Sequence, residues 1–160
     1  DCEADAAYAA RPGVVCAVLT ADCLPILLCD EAGSRVAALH AGWRGLAGGV
    51  VESALAAWEE PAAVMAWLGP AIGPDAFEVG REVREAFLAR DPGAAEAFRP
   101  GAAGRWWADL YTLARRRLQA SGVARVHGGG FCTYHERERF YSYRRDGETG
   151  RMASLVWREG

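Results

Sequence analysis

The sequence predicts a mixed α/β (α+β) fold, with mixed sheets carrying helices on their outside in a single domain over residues 1–160. Three observations lead there. Short continuous apolar runs rich in branched residues recur along the chain, at the length of buried strands. Longer segments between them place apolar residues at helical spacing. The two kinds alternate without a strict period or internal repeat, and 51% of the 160 residues are hydrophobic, enough for one real core.

Val14–Thr20 and Leu24–Cys29 read as buried strands, split by a turn at Asp22-Cys23. Asp30-Glu31-Ala32-Gly33-Ser34 is a turn, so the second run and Arg35–His40 form a hairpin. Gly42 opens a helix from about Trp43 to Glu59, whose stripe is Leu46, Val50, Ala54, Leu55 and Trp58, and Pro61 stops it. Val64–Leu68 is a further strand. It runs into Gly69-Pro70-Ala71-Ile72-Gly73-Pro74, where two Gly-Pro steps fix the backbone path. Phe77–Val79 is a short extended piece, and Arg81–Arg90 is a helix ended by Asp91-Pro92-Gly93. Ala94–Gly104 is rich in Ala and Gly and carries no clear period. Asp109–Ala120 is a second amphipathic helix with Leu110, Leu113, Ala114 and Leu118 inward and Gly122 as its stop. Val123–Val126 is a strand leading into Gly128-Gly129-Gly130, and Phe140–Tyr143 and Ala153–Trp157 are two more around an Arg-rich turn.

Composition narrows the function. The net charge is −3, against a nucleic-acid binder, although every one of the 18 basic residues is Arg. From His135 to Arg151 five Arg interleave with Phe140, Tyr141 and Tyr143, but Glu136, Glu138, Asp146 and Glu148 offset most of that charge. An aromatic there, Phe140 or Tyr141, is a candidate to stack on a base. No apolar run reaches membrane-spanning length, and the first residues do not resemble a signal peptide. Cys2, Cys16, Cys23, Cys29 and Cys132 form no C-x-x-C pair, so each reads as a reduced thiol of a cytoplasmic protein. The expected state is a monomer or homodimer.

Cys23 and His40 carry the chemistry. Each sits where an apolar run meets a turn, with sixteen residues between them. A thiolate and an imidazole are donors that zinc prefers, and two of them leave room for a third donor and a water. The same residue types also fit a Cys23 nucleophile with His40 as its base. Asp22 is a candidate to orient the imidazole or act as a base, or else a turn residue bonded to its own backbone. Arg44 follows Gly42 at a helix start, where a guanidinium adds bidentate donors for phosphate. Trp43 adjoins the His40 segment as a pocket-lining candidate, and His127 and His135 read as structural or surface residues.

Thr20-Ala21-Asp22-Cys23-Leu24-Pro25-Ile26-Leu27-Leu28, His40-Ala41-Gly42-Trp43-Arg44-Gly45, Gly69-Pro70-Ala71-Ile72-Gly73-Pro74 and Phe140-Tyr141-Ser142-Tyr143-Arg144-Arg145-Asp146-Gly147 occur in that order. Together with Cys132-Thr133 and Thr149–Ser154 they resemble the bacterial family labelled multicopper polyphenol oxidase (laccase) domain, also called the peptidoglycan editing factor family. The resemblance implies a zinc-dependent purine nucleoside phosphorylase that acts on adenosine, inosine or methylthioadenosine with inorganic phosphate and also deaminates adenosine. It implies Cys23 and His40 as two of three zinc ligands, and Ile72 and Gly73 in a loop that walls the substrate pocket. It also favours one purine base over a strand of nucleic acid as what Phe140 or Tyr141 stacks on. The third ligand of the family is a His upstream of the point where this chain begins, so the chain resembles the C-terminal two-thirds of a member. Either the site within this chain is incomplete, or Cys2 or a histidine from elsewhere substitutes. Copper is less favoured than zinc, because multicopper sites need many His and this sequence has three. Two other readings stand beside the phosphorylase: a hydrolase or amidase editing peptidoglycan precursors through Cys23, and a non-catalytic domain that binds a nucleoside.

Overall fold

The computed structural model describes residues 4–160 and realises the mixed α/β class in three sheets. The largest has five strands in the order β1-β4-β3-β5-β9: β1 Ala6–Ala9, β4 Val36–Ala41, β3 Leu24–Asp30, β5 Val64–Leu68 and β9 Arg125–Gly128. Its pairs are antiparallel except β5 with β9, which run parallel. The β3–β4 hairpin turns at Asp30–Ser34, where the Asp30 carboxylate accepts from the Ser34 N–H at 2.6 Å. A two-stranded ribbon pairs β2 (Cys16–Thr20) with β10 (Met152–Val156), in antiparallel register. The third sheet joins β6 (Glu78–Val79), β8 (Trp106–Ala108) and β7 (Phe98–Pro100).

Strand alternation sorts the core into two faces. Leu24, Ile26 and Leu28 of β3, with Ala37, Leu39 and Ala41 of β4, are fully buried in the large cluster shared with the helices. Those helices are α1 (Trp43–Gly48), α2 (Val50–Leu55), α3 (Arg81–Leu88) and α4 (Leu110–Ala120), which contributes Leu110, Leu113, Ala114 and Leu118. The opposite face sends Val36 and Ala38 against Cys16 and Val18 of the ribbon. His40, two positions beyond Ala38, therefore emerges on the ribbon side at the end of β4. Cys23 sits in the link that carries the chain from the ribbon into the large sheet.

Several elements differ from the sequence reading. The helix expected over Trp43–Glu59 breaks at Gly49, whose φ of +104° caps α1 and opens α2, and α2 ends at Leu55. Gly48-Gly49 disfavours continuous helix, and Gly adopts this left-handed conformation without a Cβ clash. Phe140–Tyr143 is not a strand. Ser142 caps a helical turn, α5 (Tyr143–Asp146), by accepting from the Arg145 N–H, and Arg145 donates to the carbonyls of Thr133, Tyr134 and Phe140. Those local partners outcompete a ladder. β1 and β7 had no readable period because four Ala-rich residues and three residues are too few to show one.

Candidate functional site

The end of β4 and the β2–β3 link bring Cys23 and His40 together. A Cβ placed on Gly42 would stand 3.0 Å from the Cys23 Sγ and 3.6 Å from the His40 Cε1, so both groups border one small space. Gly42 leaves that space open. The His40 ring is fixed from behind by Asp5, whose Oδ1 lies 3.1 Å from Nδ1, while the His40 backbone N–H donates to the Asp5 carbonyl at 2.7 Å. In the neutral ring, a proton held on Nδ1 would leave Nε2 as the electron pair that a metal takes, and metal binding would displace the second proton. The Cys23 sulfur against the ring and the Asp5 carboxylate push the imidazole up to about 9, against the lowering effect of burial.

A cavity of about 250 Å³ opens over the pair, lined by Leu19, Thr20, Ala21, Cys23, His40, Tyr143 and Arg151. Thr20 is 2% exposed, and its hydroxyl has no hydrogen-bond partner among the described residues. A buried hydroxyl left without a partner carries a desolvation cost. The donor set fits a metal in kind: a soft sulfur, an imidazole nitrogen, and a carboxylate behind the imidazole that orients it. It does not close a site, because no group of three or more His, Cys, Asp or Glu side chains able to hold a metal occurs among the described residues. Cys2, the candidate substitute ligand, lies outside them. His127 is exposed on β9, and His135 lines a separate cavity of about 570 Å³ with Gly73, Tyr111 and Cys132.

The remaining candidates fall elsewhere. Arg44 is exposed, with its guanidinium 4.6 Å from the centre of the Trp43 ring, and it does not line the Cys23–His40 cavity. Its neighbour's indole is the nearest surface for a cation, so it stacks there. Trp43 itself packs partly against the main core. Ile72 is a core side chain, 1% exposed, and Gly73 faces Cys132 rather than Cys23. Phe140 meets Phe131 edge-on and Tyr141 covers Gly150, and both line a second groove whose lining includes neither Cys23 nor His40. The aromatic that lines the cavity is Tyr143, 60% exposed at the start of α5. Asp22 accepts neither from His40 nor from its own backbone. Its carboxylate takes the Thr133 hydroxyl and the Arg144 N–H, each at 2.6 Å.

Sequence reasoning missed Asp5, Thr20, Tyr143 and Arg151. Thr20, Tyr143 and Arg151 stood inside the quoted motifs, but nothing in residue type separated them from their neighbours. Asp5 is thirty-five positions from His40 and became visible only when β1 paired with β4.

Comparison with known proteins places this geometry in a family. The chain is 60% identical over 156 residues to a protein of Pseudomonas aeruginosa named purine nucleoside phosphorylase PA4543, covering 96% of this chain and 64% of that one. It is 57% identical over 155 residues to the Escherichia coli protein named purine nucleoside phosphorylase YfiH, covering 96% and 63%. The chain thus spans somewhat less than two-thirds of the length of these relatives. Among solved structures, the Neisseria meningitidis protein NMB0706 superposes with a TM-score of 0.96 at 57% identity over 99% of this chain and 66% of that one. YlmD of Geobacillus stearothermophilus superposes at 0.92 with 33% identity, over 98% and 61%. The family model described as multi-copper polyphenol oxidoreductase laccase matches residues 1–159, and the chain belongs to that family.

Proposed function

We propose that this chain carries the catalytic face of a purine nucleoside phosphorylase, in which Cys23 and His40 are two donors to one zinc ion. The observation that carries the reading is the Cys23–His40 pair backed by Asp5 at the mouth of a cavity, in a chain whose relatives bear that name. A bound zinc would supply Lewis acidity toward an oxygen of substrate or water. The chain's own residues do the positioning. Tyr143 offers a ring face for a purine. Arg151, the guanidinium on the cavity wall, is better situated than Arg44 to receive inorganic phosphate.

In phosphorolysis a phosphate oxygen bonds to ribose C1′ as the C1′–N9 bond breaks, and the base leaves with its electron pair and takes up a proton. The products are a free base and ribose 1-phosphate. Adenosine, inosine and methylthioadenosine are the substrates, with deamination of adenosine as a second activity. Incubating adenosine with and without phosphate tests this. Phosphate-dependent adenine and ribose 1-phosphate support the phosphorylase, and inosine alone leaves only the deaminase.

One observation favours a second reading. Cys23, His40 and Asp5 also line up as nucleophile, base and orienting carboxylate, the arrangement of a cysteine hydrolase or amidase, such as one acting on peptidoglycan precursors. Stoichiometric zinc that disappears in Cys23→Ala selects the phosphorylase. A metal-free chain that is alkylated and inactivated at Cys23 selects the hydrolase. A metal-free chain that binds nucleosides without turnover is a binding domain.

A further inference from the structure

Asp22 immediately precedes Cys23, and its backbone is held at φ +86°, one of two non-glycine residues with positive φ among those described. That conformation is unfavourable for a residue with a side chain, although Asp tolerates it better than most. Three hydrogen bonds hold it there. The carboxylate accepts from the Thr133 hydroxyl at 2.6 Å and the Arg144 N–H at 2.6 Å, and the Asp22 carbonyl accepts from the Ile72 N–H at 2.9 Å. The donors come from three segments far apart in sequence: the Gly69–Pro74 loop, the Cys132–Thr133 turn and the first turn of α5. Asp22 is 8% exposed, and Thr133 and Ser142 are fully buried, so water does not substitute for these bonds. The Thr133 N–H closes the circuit by donating to the Ala71 carbonyl at 3.0 Å.

Two cavity groups hang directly from this junction. Cys23 follows Asp22, and Tyr143 precedes the residue whose N–H the Asp22 carboxylate binds. We infer that Asp22 is a positioning residue: one carboxylate clasps Thr133 and Arg144 and thereby sets the direction of the Cys23 sulfur and the placement of Tyr143 over it. Both carboxylate oxygens are engaged in these bonds, so the role differs from that of a base that takes a proton from substrate. The inference rests on the reading of Cys23 as a metal donor, and it names the device that aims that donor.

The discriminating substitution is Asp22→Asn. An amide oxygen accepts from the Arg144 N–H, and the amide N–H₂ donates to the Thr133 hydroxyl, which turns to accept. Asn also tolerates positive φ. The clasp therefore survives without the negative charge, whereas Asp22→Ala and Asp22→Gly abolish it, the latter without backbone strain.

The experiment titrates cobalt(II) into each variant of this chain, following the thiolate-to-cobalt absorption, with a thermal unfolding scan to certify the fold. Asp22→Ala and Asp22→Gly should lose roughly ten- to a hundredfold in cobalt affinity, the usual cost of removing a group that orients a ligand. Asp22→Asn should stay within about threefold of wild type, since its clasp is intact. If Asp22→Ala does not fold, Thr133→Val, which removes one arm of the clasp, takes its place with a loss in the same direction. The inference is overturned if Asp22→Gly or Thr133→Val binds cobalt as wild type does, or if Asp22→Asn is as impaired as Asp22→Gly. Should wild type itself show no thiolate-to-cobalt band, the donor reading of Cys23 fails. Site-resolved alkylation of Cys23 by iodoacetamide then decides the positioning role. A labelling rate raised by about threefold or more in Asp22→Gly but not in Asp22→Asn upholds it, because a released turn opens more often. Equal rates in all three overturn it.

Discussion

Asp5 and His40 are joined twice, through Oδ1 to Nδ1 at 3.1 Å and through the Asp5 carbonyl to the His40 N–H at 2.7 Å. The backbone bond extends the β1–β4 ladder by a step, and the side-chain bond uses that register to hold the imidazole. Asp5→Asn keeps the backbone bond and removes the charge behind the ring. Metal affinity measured by chelator competition should fall by roughly tenfold or more, with the unfolding midpoint little changed, because the pair is half-exposed.

The same pair sets a pH dependence in the metal-free chain. His40 is held up to about 9, from an ordinary value of 6.5, first by Cys23 and then by Asp5. The folded state therefore binds more protons than the unfolded state between those values. The stabilisation is present in full below about pH 6.5 and is lost as pH rises through about 9. Chemical denaturation of wild type and His40→Asn, run with chelator across pH 6 to 10, should show a difference in stability that shrinks over this window. A constant difference contradicts the assignment.

Gly42→Ala tests the shared space directly. Its φ of −63° suits any residue, so the effect is steric: the new Cβ meets the Cys23 Sγ at 3.0 Å. Overpacking of this kind costs about 1–3 kcal/mol, or displaces the sulfur. Metal affinity should fall more than stability does, as read by titration beside a denaturation curve.

Tyr111 braces the loop behind the site. Its hydroxyl accepts from the buried Ala71 N–H at 2.8 Å and lies 3.1 Å from the Phe131 carbonyl, and burial pushes the phenol up to about 12. Tyr111→Phe leaves the Ala71 N–H unpaired and should cost roughly 1–3 kcal/mol in denaturant unfolding.

If the proposed phosphorylase reading holds, Tyr143→Ala should raise the KM for nucleoside by about tenfold or more, the size expected from losing one stacked ring, and Tyr143→Phe should restore it. An unchanged KM removes Tyr143 from the base site.

Much of the frame was legible in sequence. The run Leu24–Cys29 is apolar throughout because β3 is the central strand, largely covered on both faces, and α4 shows its stripe because one side faces solvent, whereas Val64–Leu68 is apolar although Trp67 of β5 is 40% exposed. The turn chemistry of Asp30–Ser34 gave the hairpin, and the order of motifs gave the family. What stayed hidden was long-range. The partners of the Asp22 carboxylate lie more than a hundred positions away, and Asp5 meets His40 only through strand pairing. No local period reports such contacts. The Gly48-Gly49 break and the α5 turn were missed because the spacing of apolar residues outweighed, in one case, two glycines and, in the other, a serine cap.

X-ray absorption at the zinc edge of the zinc-loaded chain reads out whether Cys23 binds the metal. One sulfur at about 2.3 Å among nitrogen and oxygen neighbours is expected, with loss of that sulfur in Cys23→Ser. A wild-type shell of nitrogen and oxygen alone, or a sulfur that persists in Cys23→Ser, would contradict Cys23 as a zinc donor.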